Sequence, residues 1–251
     1  MISEYEQHGY VVRRSVFKKS ELVKIKNVLS KFHLAWQKDN QPFYQKKAIN
    51  SAYLTGTKYL AENDRQKLFQ LIGSKKISEI IGSIIPCKPM FINTQLFFNP
   101  TNSLQKNYWH RDTQYDLSME EQKQALLGPK VMHLRIPLND EPGLELISGT
   151  HKKWDSELAF DIRMEKNGKK NHQDIADSVK IKLDAGDYLI FSANMIHRGL
   201  YGMDRFALDI LFCDSDKKLA KFINKDCLPN DEIMANLDDP RIFANSYQNI
   251  K

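Results

Sequence analysis

Val179-Lys-Ile-Lys-Leu-Asp-Ala-Gly-Asp-Tyr-Leu-Ile-Phe191 reads as two short strands, Val179–Leu183 and Tyr188–Phe191, joined by the turn Asp184-Ala-Gly-Asp187. Short apolar or alternating runs bounded by Gly, Asp, Asn and Pro are strand signals, because such turn residues stop a ladder while β-branched and aromatic residues extend it. The same character extends in both directions. Met90–Phe98, Val131–Leu138, Leu144–Ile147 and Phe206–Phe212 are similar runs, separated by Asn99-Pro100 and by Asn139-Asp-Glu-Pro-Gly143. Strands in succession, with few helices between them, predict an antiparallel sandwich or closed barrel.

The chain before Pro89 has a different period. After the strand-like Tyr10-Val-Val12, residues 18–38 repeat apolar side chains at Leu22, Ile25, Val28, Leu29 and Phe32, one face of a helix. Residues 62–85 repeat the pattern through Leu68, Leu71, Ile72, Ile77, Ile80 and Ile81, interrupted at Gly73 and Gly82 and closed by Pro86. The expected fold is mainly β with flanking α, the N-terminal helices lying along one side. At 251 residues the chain fits a single domain spanning 1–251. Residues 152–177 are polar and read as a long surface insertion, and 216–251 as a polar tail with a few helical hints and no further chemistry.

Composition narrows the function. A net charge of +6 is mildly basic, but the lysines fall in scattered doublets and form no basic run interleaved with aromatics, so no nucleic-acid partner is expected. The three cysteines, Cys87, Cys213 and Cys227, show no pairing or ligand spacing. No stretch approaches the roughly 20 apolar residues of a membrane helix, and the amino terminus lacks an apolar signal core. The expectation is a cytoplasmic protein with no membrane partner.

Against this background stand His110-Arg-Asp112 and, 87 positions later, His197. Alternate residues of an extended segment point the same way, so His110 and Asp112 can reach one ion. Two imidazoles and one carboxylate on one face of a ferrous ion leave the opposite positions open. The same ligands also suit a zinc hydrolase, since zinc takes three protein ligands and a water. A lone His-x-Asp is common by chance; the weight rests on its order with the strands, His197 and Arg205. Of the remaining histidines, His133 and His151 are expected nearest the site.

Four ordered motifs resemble the phytanoyl-CoA dioxygenase family of iron(II)- and 2-oxoglutarate-dependent oxygenases. They are Trp109-His-Arg-Asp112, Glu141-Pro-Gly-Leu-Glu-Leu-Ile-Ser-Gly-Thr-His151, Asp184-Ala-Gly-Asp-Tyr-Leu-Ile-Phe191 and His197-Arg-Gly-Leu-Tyr-Gly-Met-Asp-Arg205. The resemblance implies a double-stranded β-helix, or jelly roll, with His110, Asp112 and His197 binding Fe(II). It also implies Arg205 pairing with the distal carboxylate of 2-oxoglutarate, a task suited to a planar guanidinium. Gln95 and Asn99 resemble polar residues that hold the cosubstrate in some members; as ordinary sheet-face polar residues they would have no such role. With O2, such an enzyme converts 2-oxoglutarate to succinate and CO2 while hydroxylating a C–H bond. Asp112 retains the carboxylate that related halogenases lack. Gly199 stands where many members carry serine, and Arg205 follows His197 at eight positions, a shorter interval than in many relatives.

A small-molecule substrate is expected, with Thr113, Tyr115, His133, Arg135 and Phe191 as candidate lining residues. In Met132-His-Leu-Arg-Ile136 the alternation places His133 and Arg135 on one face. If that face is interior, Arg135 is a buried cation seeking an anion such as a substrate carboxylate; if exterior, it is a surface arginine. The alternative to an enzyme is a catalytically idle jelly roll that binds a ligand or partner.

Overall fold

Strand Val131–Pro137 shows how the fold divides its residues. Met132, Leu134 and Ile136 pack into the main apolar core beside Leu29 and Phe32, whereas the alternate His133 and Arg135 are also buried but face the other way. Both faces of this sheet are therefore covered. The computed structural model describes residues 1–250.

The strands are β1 (Tyr10–Arg13), β2 (Asn50–Ala52), β3 (Met90–Phe98), β4 (Val131–Pro137), β5 (Glu141–Leu146), β6 (Val179–Leu183), β7 (Tyr188–Ser192), β8 (His197–Gly199) and β9 (Phe206–Cys213). A six-stranded sheet has the order β1-β7-β4-β9-β3-β2, and a three-stranded sheet the order β6-β5-β8. All pairings are antiparallel. Leu189 and Phe191 of the large sheet share a core with Leu144, Leu146, Ile181 and Leu183 of the small one, so the two sheets pack face to face. This is the expected mainly-β layering, and its paired sheets are consistent with a jelly roll.

The outer face of the large sheet carries helices. Lys19–Asp39 buries Leu22, Ile25, Val28, Leu29, Phe32 and Trp36, the stripe expected of a helix covering a sheet. The apolar pattern at 62–85 is two helices, Glu62–Ile72 and Lys75–Gly82; the chain breaks at Gly73-Ser74, where the Ser74 hydroxyl accepts from the Ile77 amide and starts the second helix.

Two polar segments are more ordered than expected. Residues 152–177 contain the helix Glu157–Arg163, whose Ala159 and Ile162 bury against Trp109, Ile175 and Ile196. Trp109 also donates from Nε1 to the Gln173 carbonyl at 2.9 Å and from its amide to Asn171 at 2.8 Å. This segment is a wall packed on the metal motif. In the C-terminal stretch, the helix Arg241–Asn249 packs on β3, where the Ser246 hydroxyl bonds both the amide and the carbonyl of Phe91. Polar composition concealed the first and left only hints of helix in the second, because each buries only a few apolar residues.

Candidate metal centre

His197 opens β8 and pairs with Leu146 in the small sheet. On its other side it meets His110, and the two exchange backbone hydrogen bonds, N to O, at 2.9 Å in each direction. Residues 87 apart in the chain are thus an antiparallel pair, with ring centroids 4.2 Å apart. Arg111 is extended, and the Asp112 amide then donates to Ala193 at 3.1 Å, bringing the carboxylate to the same side as His110.

Donor atoms of His110, Asp112 and His197 all lie within 4.8 Å of one another. Asp112 Oδ1 is 3.5 Å from Nε2 of His110 and 3.7 Å from Nε2 of His197. Each ring is turned by the same device: His110 Nδ1 contacts the Tyr108 carbonyl at 3.1 Å, and His197 Nδ1 the Met195 carbonyl at 3.0 Å. A carbonyl only accepts, so each Nδ1 carries the proton and each Nε2 offers a lone pair. Burial, with His110 alongside, lowers His197 to about 3, keeping it neutral as ligation requires. Burial would raise the Asp112 carboxyl, but His197, His133 and His110 hold it well below its ordinary value. Two imidazole Nε2 atoms and a carboxylate fit a divalent ion such as Fe(II).

The residues around this candidate triad are fixed in place. Arg111, fully buried, donates to Asp155 at 2.8 and 2.6 Å and to the carbonyls of Thr150, Lys153 and Asn194. Arg198 lies over the Trp109 ring at 4.5 Å and bonds Glu145 at 2.7 Å. The residue between the first two ligands and the residues flanking the pair are therefore anchors.

Behind Asp112 runs a buried chain of alternating charge. Asp112 Oδ2 is 3.0 Å from His133 Nε2, and His133 Nδ1 is 3.3 Å from Asp209 Oδ2. Asp209 Oδ1 accepts from Arg135 at 2.8 Å, and Arg135 grips Glu141 through two bonds of 2.7 and 2.9 Å. Glu141 Oε2 lies 3.7 Å from Arg205 Nε. Burial opposes charge on His133, but Asp112 and Asp209 outweigh it and raise the imidazole to about 9.

The other expected residues separate clearly. Phe191 stacks on His133 at 4.7 Å and meets the His197 ring edge at 5.0 Å, directly beneath the ligands. The Thr113 hydroxyl is buried without a partner, and Tyr115 is exposed with its ring 5.7 Å from His110. Arg135 takes the interior alternative, but Glu141 and Asp209 satisfy its charge; the anion it sought is internal, and it gives no argument for an anionic substrate. Gln95 sits on β3 opposite Asp209, in one row with Arg135. Asn99 ties down the turn before β9, accepting from the Gly202 amide at 2.9 Å and donating to the Met203 carbonyl at 2.6 Å. His151 lies under the helix Ile2–His8 against Tyr5 at 5.8 Å, away from the ligand set.

Arg205 is buried between the rings of Phe97 and Tyr201, at 5.3 and 5.6 Å. Its Nε has no hydrogen-bond partner, and Nη1 donates to the Phe98 carbonyl at 3.3 Å. Burial, with Arg135 nearby, lowers it to about 10, so it remains a cation at neutral pH. Asp209, Glu141 and Arg111 were missed from the sequence. A solitary carboxylate inside the apolar run Phe206–Phe212 is a signal that would have found Asp209.

The profile of the phytanoyl-CoA dioxygenase family matches residues 5–200, and the chain belongs to that family. It is accordingly an Fe(II)- and 2-oxoglutarate-dependent dioxygenase. No curated protein matches its sequence. Solved structures agree in fold: EctD from S. alaskensis with 2-oxoglutarate and 5-hydroxyectoine has a TM-score of 0.61 at 12% identity, over 85% of this chain and 75% of that one. HygX from Streptomyces hygroscopicus with nickel and 2-oxoglutarate gives 0.61 at 11% identity, over 84% of each. AviO1 from Streptomyces viridochromogenes Tue57 gives 0.56 at 15%, over 85% of this chain and 93% of that one. No helix among the described residues is long and apolar enough to cross a membrane.

Proposed function

We propose that the protein hydroxylates a C–H bond of a small molecule, with His110, Asp112 and His197 as the iron ligands. Arg205 holds the distal carboxylate of 2-oxoglutarate, and Gln95 supports that site from β3. The observation that carries this reading is the reciprocal backbone pairing of His110 with His197, which aims two Nε2 lone pairs and Asp112 Oδ1 at one point. Bound there, iron with 2-oxoglutarate and O2 supplies the oxidising power, leaving succinate and CO2.

The chain's own residues position and exclude. Phe191 and Trp109 keep water from beneath the ligands, and the buried Arg205, whose Nε makes no hydrogen bond, offers a cation to an anion. Thr113 and Tyr115 face the substrate, joined by Tyr108, whose ring lies 5.1 Å from His110. Asp112 fills the position that a halogenase leaves to chloride, which supports hydroxylation.

Purified protein given Fe(II), 2-oxoglutarate and O2 is expected to release succinate slowly without substrate and faster with it. His110→Ala abolishes both. Metal uptake with no succinate under any substrate would sink the enzyme reading and favour the idle binding module. Zinc on elemental analysis, with an activity indifferent to 2-oxoglutarate, would point to a hydrolase instead.

A further inference from the structure

We propose that His133, backed by Asp209, is a positioning residue of the metal centre: it takes the outer oxygen of Asp112 so that the carboxylate presents only Oδ1 to the ion. This rests on the ligand set proposed above. The two Asp112 oxygens have different surroundings. Oδ1 faces the Nε2 atoms of His110 and His197, while Oδ2 faces His133 Nε2 at 3.0 Å. His133 thus stands on the side of the carboxylate turned away from the other ligands.

The ring has little freedom to do anything else. It is 4% exposed, stacked at an interplanar angle of 16° on Phe191, and held at Nδ1 by Asp209, itself 0% exposed. Asp209 is fixed in turn by Arg135, and Arg135 by the two-bond grip of Glu141. An outer oxygen held 3.0 Å from a buried imidazole is less available to the ion than Oδ1, which favours ligation through one oxygen. The distinction matters because a chelating Asp112 would take one of the positions that the cosubstrate and O2 need. Outer partners of this kind typically change metal affinity about 10- to 100-fold when removed.

Co(II) is the probe, since its visible bands report coordination geometry without turnover. His133→Phe keeps the stack on Phe191 and removes the charged contact with Oδ2. It is expected to weaken Co(II) binding at least tenfold and to shift the visible bands, while His133→Gln, which retains an N–H donor, recovers most of the loss. Melting temperature measured with EDTA provides the structural control. Wild-type Co(II) affinity and spectrum in folded His133→Phe would overturn the proposal, as would an X-ray absorption spectrum of the wild type with three imidazole ligands rather than two. Should His133→Phe fail to fold, Asp209→Asn carries the test: an unchanged affinity and spectrum there overturns it. His110→Ala separates the two readings. If the wild type binds no Co(II), or binds it equally after His110→Ala, the ligand assignment falls. If His110→Ala abolishes binding and His133→Phe leaves it untouched, only the positioning role falls.

Discussion

Gly199 and Arg205 interlock: a Cβ placed on Gly199 would lie 2.6 Å from Arg205 Nη2 and 3.3 Å from its Cζ. The guanidinium thus occupies the space that a side chain at position 199 would fill. A side chain at 199 is accommodated by moving the arginine tip, which is flexible, so the fold should tolerate it. Gly199→Ser is expected to raise the KM for 2-oxoglutarate about tenfold, or about 1.4 kcal/mol, with little change in Tm. An unaltered KM would remove Arg205 from the cosubstrate site.

Arg205→Lys tests the same site from the other partner. Lysine keeps the charge but loses the planar fork that meets a carboxylate through two bonds. We expect a roughly 10- to 100-fold rise in 2-oxoglutarate KM, with Fe(II) affinity measured in the absence of 2-oxoglutarate unchanged. Equal loss of both would mean that the substitution has disturbed the ligands through Glu141.

Arg111 makes a stability prediction. Its side chain and that of Asp155 are both fully buried and paired at 2.6 Å. Arg163 also holds Asp155, at 2.7 Å, so removing Arg111 leaves the carboxylate one cation and strips the carbonyls of Thr150, Lys153 and Asn194 of their donor, at a cost of about 1–3 kcal/mol. Arg111→Ala should therefore lower the urea midpoint sharply and loosen Fe(II) binding, because the same guanidinium fixes the extended segment between His110 and Asp112. A midpoint within error of wild type would contradict this.

His33 gives the acid side of the stability profile. It sits among Phe98, Trp36, Tyr44 and Phe206, and burial lowers it to about 4. The unfolded chain, titrating near 6.5, binds that proton first. The contribution of His33 to stability is therefore full above pH 6.5 and is lost as pH drops towards 4. His33→Phe should flatten this slope in denaturant titrations between pH 7 and pH 4; a slope equal to wild type would assign the loss to other groups.

The strands from Met90 onward were legible because a half-buried strand writes its alternation into the sequence, and the ligand triad because its spacing is set by strands that the turns delimit. What was not legible depended on partners distant in the chain. Nothing local to Arg135 says that Asp209, 74 positions on, will neutralise it, and nothing local to Asn99 announces the turn at Gly202. The three-residue β8 escaped for another reason: it is too short to show a period, so nothing around His197 announces a strand. The break at Gly73-Ser74 was marked, but apolar spacing continues on both sides of it and made two helices look like one.

The joining of His110 to His197 has a consequence for assembly. These residues meet only after the chain has wound through β4 to β7, so the unfolded polypeptide offers an ion no preformed pocket and native contacts must come first. An ion that recognises only the finished architecture draws the folding equilibrium towards it by mass action. Thermal resistance should accordingly climb with the concentration of free Fe(II), and chelation should expose the connection around residue 111 to proteases.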